Sequence, residues 1–150
     1  MIQKLQAFWK KLVALAKKCQ WIPIAFTRIT IDITFAQTGW GKLHSLDQVV
    51  EFFRSLGIPA PEIQAPFVAS VEFGCGLMIL FGLATRLACI PLIGTMVVAI
   101  LTAKMADLNT FTDVFGFIEY LYIILLLFLI TAGPGWFSLD HFIEKKMKTV

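Results

Sequence analysis

Two apolar runs separated by only three residues constrain this chain more than any other feature. "PFVASVEFGCGLMILFGL" occupies Pro66–Leu83 and "LACIPLIGTMVVAILTA" occupies Leu87–Ala103, with Ala84, Thr85 and Arg86 between them. A bilayer's hydrocarbon core takes roughly 17–25 apolar residues as one helix. Both runs meet that length, and the linker forces a tight antiparallel hairpin. Trp21–Trp40 and Phe115–Ala132 pass the same test. Lipid leaves no solvent to satisfy the backbone, so helices are expected; no alternating pattern supports a barrel. Composition agrees: 58% of the 150 residues are hydrophobic and 15% are charged, against roughly 45–50% and about 25% in globular chains. The expected fold class is all-α: a single membrane domain over residues 1–150, built as a four-helix transmembrane bundle.

The distribution of basic residues orients it. With both termini inside, the inner side carries nine: Lys4, Lys10, Lys11, Lys17, Lys18, Arg86, Lys145, Lys146 and Lys148. The outer side carries Lys42, Arg54 and Lys104. Cytoplasmic loops are enriched in Lys and Arg, so the N- and C-termini are expected in the cytoplasm. No A-x-A-like cleavage site follows the first apolar run, so that run is expected to stay as an anchor. The net charge of +3 is too small to argue for a nucleic-acid partner.

The flanking segments have organisation of their own. Ile2, Leu5, Trp9, Leu12, Ala16 and Cys19 recur at steps of three and four, with the lysines on the opposite arc. That predicts an amphipathic helix on the inner membrane surface over residues 1–20. In the outer loop, Ser45 and Gln48 occupy capping-box positions, Leu46, Val49, Phe53 and Leu56 form an apolar stripe, and Gly57 can terminate. An interfacial helix over Ser45–Leu56 is expected. After Gly133–Gly135, Ser138 can cap a short C-terminal helix in "SLDHFIEKK".

The charges inside the spans are the candidate site. Arg28, Asp32, Phe35 and Gly39 share one face of the first span; Ala65, Ala69, Glu72 and Gly76 form a small-and-polar stripe on the second. At about 1.5 Å per residue, Arg28 and Asp32 lie roughly 10 and 16 Å above the inner end, and Glu72 and Glu119 roughly 9 and 6 Å below the outer end. Each such charge costs about 2.5–3.5 kcal/mol at a helix centre, and intramembrane ions usually pair inside the bundle. The expected arrangement is a buried polar cluster of Arg28, Asp32 and Glu72, with Lys104 and Glu119 as an outer polar pair. One reading makes the cluster a pin that holds helix register. The other makes it a proton-accepting site or a polar anchor for a quinone or lipid head group.

Other chemistry has little support. His44 and His141 sit at opposite edges, the three cysteines form no C-x-x-C, and Cys75 and Cys89 lie at unequal depths from the hairpin. No disulfide, metal site or covalently bound cofactor is expected, and no nucleophile–base pair or phosphate loop argues for stand-alone catalysis.

The motifs resemble those of the DoxX family of small four-helix membrane proteins. They are G-x-x-K-L after the first span, L-G-I-P in the outer loop, V-E-x-x-x-G in the second span, G-L-x-T-R at the hairpin and G-P-G-x-x-S-L-D near the end. The resemblance covers roughly Ile24–Phe142. It implies a bacterial inner-membrane protein resting in the lipid bilayer. Some relatives are subunits of quinone-linked oxidoreductases, so it also implies a quinone as ligand and an oxidoreductase subunit as partner. Where the family often has His in a T-A-H context, this chain has Lys104 in "TAK". Two functional readings stand: an accessory or quinone-interacting subunit of a membrane oxidoreductase, and a non-enzymatic chaperone, scaffold or small-lipid binder. Association into a homo-oligomer is left open.

Overall fold

Proline and glycine set the helix boundaries. In the structure, a computed structural model, residues 2–108, 110–133, 135, 138–140 and 146 are described, with residues 2–5, 7 and 106 described by backbone alone. Among the described residues six α-helices follow one another: α1 (Ile2–Lys18), α2 (Trp21–His44), α3 (Leu46–Ser55), α4 (Pro61–Phe81), α5 (Thr85–Ala99) and α6 (Ile118–Ala132). No strand occurs among the described residues. Pro61 opens α4 at a position where its missing N–H costs nothing. Gly82, at φ +65°, closes it: its N–H donates to the Ile79 carbonyl at 2.9 Å and the Leu83 N–H to Met78 at 2.8 Å. Gly57 ends α3 in the same way at φ +71°, with the Ile58 N–H on the Phe53 carbonyl at 3.0 Å. Both are left-handed caps that satisfy the last-turn carbonyls.

Two expectations from sequence differ in detail. The Ser45 side chain does not cap α3; its hydroxyl donates back to the Gly41 carbonyl at 2.8 Å. The helix forms regardless, with the half-buried face carrying Leu46, Val49, Phe53 and Leu56. The fourth apolar segment does not run as one helix from Phe115. Phe111–Gly116 is a 3₁₀ turn, Phe117 is extended, and α6 starts at Ile118. At the third segment's end, α5 runs on as a π-helical turn over Ile100–Lys104. The expected C-terminal helix over residues 138–146 falls largely on residues 141–145, outside the described residues. Ser138 itself is buried, and its hydroxyl donates to the Gly135 carbonyl at 2.9 Å.

α2 lies antiparallel along α4, α5 packs on α4 and α6, α2 also touches α6, and α3 leans on α4. Small residues set the α2–α4 approach. A Cβ on Gly39 would collide with the Phe73 backbone, and one on Gly76 would come to 2.9 Å from the Ala36 nitrogen. The packed centre is Ile31, Phe35, Ile79, Cys89, Leu92, Leu126 and Leu129.

The polarity of this body is inverted relative to a water-soluble one. Arg28, Asp32 and Glu72 are 7%, 0% and 2% exposed, whereas Phe26, Phe67 and Leu87 are 67%, 64% and 69% exposed. Apolar surface on that scale would aggregate in water, but it matches hydrocarbon. Pro61–Phe81 and the continuous Thr85–Lys104 are long and apolar enough to cross a membrane; Ile118–Ala132 is apolar but shorter.

Candidate functional site

The buried charged residues of α2 and α4 separate into two levels. At the hairpin end, Arg28 is held by the end of α4. Its Nε donates to the Ile79 carbonyl at 3.2 Å and its Nη2 to the Leu80 carbonyl at 2.7 Å. These carbonyls belong to the last turn of α4, where the Gly82 N–H also reaches Ile79 and the helix dipole favours a cation. Asp32, one turn further along α2, is fully buried within electrostatic reach of Arg28. Neither of its oxygens accepts a hydrogen bond among the described residues, and the same holds for the buried Thr85 hydroxyl.

Glu72 stands at the other level and is not joined to Arg28. Both its oxygens accept from Lys42 Nζ, each at 2.7 Å. The reason is helical geometry. Arg28 and Glu72 lie on the packed faces of α2 and α4, but Arg28 meets residues 79 and 80, two turns from Glu72 along α4. Lys42 lies on the same stripe of α2 as Arg28, Phe35 and Gly39, and it arrives at the depth of Glu72. Its place in the G-x-x-K-L motif reads as a loop lysine. Extending the buried stripe by one more step of three, from Gly39 to Lys42, is the signal that finds it.

The hairpin end holds a second contact between distant motifs. The Asp140 carboxylate accepts the Ala84 N–H at 2.8 Å and the Thr85 N–H at 3.1 Å. It thereby caps α5, whose own N-cap, Ala84, has no capping side chain and sits at φ +47°. The Asp140 N–H donates to the Gly82 carbonyl at 2.9 Å, and Gly82 is packed against Ser138. The G-L-x-T-R and S-L-D motifs are therefore one structural unit.

Above the Phe35 level the helices line an open-sided cavity of about 1140 Å³. Its walls come from α2, α4, α5, the π-helical turn and α6, and α3 contributes Val49, Phe52, Phe53 and Leu56. The lining is mostly apolar and aromatic, with two charged places: the Lys42–Glu72 pair, and Lys104 with Glu119. Lys104 and Glu119 share this lining but form no ion pair among the described residues. The Lys104 ammonium instead lies 6.0 Å from the centre of the Phe117 ring. Glu119 Oε2 is buried and accepts no hydrogen bond among the described residues. Tyr122, one turn along α6, packs its ring on Phe35 with centroids 5.3 Å apart. Cavities of about 300–1,000 Å³ with a few convergent polar groups are the usual form of a small-molecule site.

Buried charge, an apolar exterior and helices of membrane-crossing length define an all-α membrane protein. Comparison with known proteins supplies the family: the DoxX pattern matches residues 24–105. The chain is 34% identical to the uncharacterized membrane protein Rv3486 of Mycobacterium tuberculosis, covering 79% of this chain and 80% of that one. It is 30% identical to the inner membrane protein YqjF of Escherichia coli over 87% of this chain and 98% of that one. It is also 30% identical to the putative oxidoreductase CatD of Bacillus subtilis over 81% and 87%. No solved structure matches the chain significantly. The chain belongs to the DoxX family.

Proposed function

We propose that this protein is a quinone-interacting accessory subunit of a membrane oxidoreductase, with the cavity as its quinone site. The observation that carries the proposal is the cavity itself: apolar and aromatic walls of about 1140 Å³ around two charged places. A quinone has this division, with a polar ring and an apolar tail. The name of the Bacillus subtilis relative, a putative oxidoreductase, supports the same reading. The proposed setting is the bacterial inner membrane, with α2, α4, α5 with its π turn, and α6 as four spans. Both termini face the cytoplasm, and α1, with Lys10, Lys11, Lys17 and Lys18 exposed, rests on the inner surface. The Arg28 level then lies at the inner end and the cavity in the outer half.

Lipid extracted from the purified protein tests this. A quinone should be enriched over its fraction in the membrane, and Phe35→Trp or Val71→Trp, which fill the cavity, should abolish the enrichment. Enrichment of a non-redox lipid, lost in the same variants, would support the lipid-binding module instead. No enrichment of any lipid would sink both.

A further inference from the structure

The two charged places in the cavity are chemically unequal. At one, Glu72 is satisfied, since Lys42 serves both its oxygens. At the other, Glu119 Oε2 is buried and unserved, while Lys104 holds its ammonium over a ring face rather than on a carboxylate. Both residues line the cavity. Each is presented by an irregular piece of backbone: Lys104 by the π-helical turn Ile100–Lys104, and Glu119 by the first turn of α6 after the break at Phe117. π-Turns inside α-helices are frequent at functional sites, and the first turn of a helix favours a negative charge.

An unserved carboxylate oxygen accepts hydrogen bonds and donates none. The ligand group that meets it must therefore carry an O–H or N–H. A neighbouring ammonium only donates, so the same ligand must also offer an acceptor. A phenolic hydroxyl does both. A quinone carbonyl satisfies Lys104 but sets acceptor against acceptor at Glu119. We infer that Glu119 and Lys104 form a head-group subsite that selects the dihydroxy, reduced form of the ring, a quinol, over the oxidised quinone. The inference rests on the reading of the cavity as a quinone site and specifies its polar end and its preferred redox state.

The test uses the full chain in nanodiscs under anaerobic conditions with three probes that share ring and decyl tail: a benzoquinol, its quinone, and the quinol's bis-methyl ether. The unmodified protein should bind the quinol about tenfold to a hundredfold more tightly than the other two, the range that a hydrogen bond to a charged group gives. Glu119→Gln replaces the acceptor oxygen by an amide that also donates, so the quinol preference should vanish or invert while ether affinity stays unchanged. Lys104→Met should weaken quinol and quinone together and leave their ratio intact. Unchanged ether binding in Glu119→Gln shows that the cavity is still formed, which separates its effect from misfolding. An unmodified protein that binds quinone as tightly as quinol overturns the subsite, as does Glu119→Gln with its preference intact. Failure of the unmodified protein to bind any of the three overturns the quinone reading of the cavity and the subsite with it.

Discussion

Glu72 is 2% exposed and depends on one partner, Lys42, whose side chain is 33% exposed. Removing the lysine alone strands a carboxylate inside the helices, which typically costs about 3–5 kcal/mol for a fully buried pair. Because Lys42 is partly solvated, Lys42→Met should cost about 2–3 kcal/mol. The double change Lys42→Met with Glu72→Leu should recover most of it; denaturant titration in detergent micelles measures both. If the single and double variants unfold together, the pair contributes nothing. Arg28 has a different dependence. It serves the Ile79 and Leu80 carbonyls as well as facing Asp32. Arg28→Leu should therefore be destabilising by about 3 kcal/mol, and neutralising Asp32 to Asn beside it should restore only part. Full restoration would mean that the carbonyl bonds are unimportant and Arg28 is simply a counter-ion.

The elements hold one another by contacts that are far apart in sequence. α5 begins at a left-handed alanine and borrows its cap from Asp140, 55 and 56 positions away. Losing an N-cap side chain costs about 1 kcal/mol. Asp140→Ala should show that loss and, more diagnostically, should speed proteolytic removal of the segment after Gly133. Equal cleavage rates in the two proteins would count against the cap. The α2–α4 seam is set by Gly39, where any side chain meets the Phe73 backbone. Backbone cannot move aside as a side-chain tip can, so Gly39→Val should cost about 3 kcal/mol or more. Gly94→Ala, with nothing within 4 Å of the added Cβ, should be neutral. A Gly39→Val protein as stable as the parent would mean that α2 and α4 are not in close contact.

For the molecule as a whole, the proposed topology places α3 and the start of α4 outside and α1 inside. The Arg54 guanidinium bonds Glu51 at 2.7 Å and Glu62 at 2.6 Å, tying α3 to α4 on that outer side. In a chain whose three native cysteines are replaced by alanine, a membrane-impermeant maleimide should label Glu62→Cys in intact cells. It should label Lys18→Cys only after lysis. The opposite pattern would invert the molecule and place the cavity on the cytoplasmic side.

Local chemistry written in the sequence determined the apolar segments, the glycine-terminated helix ends, the interfacial-length α3 and the stripes that became the buried faces. Hydropathy, period and turn residues act over a few positions, so a one-dimensional reading captures them. Arg28, Asp32, Phe35 and Gly39 on α2, and Ala65, Ala69, Glu72 and Gly76 on α4, are indeed buried together. What only the tertiary structure decided is which charge meets which. That depends on the axial offset between two antiparallel helices, and an offset of two turns moves a contact by about 11 Å. The offset is set where Gly39 and Gly76 let backbones touch. It turns Arg28 toward the end of α4, hands Glu72 to Lys42, and leaves Glu119 facing a cavity that no single segment contains.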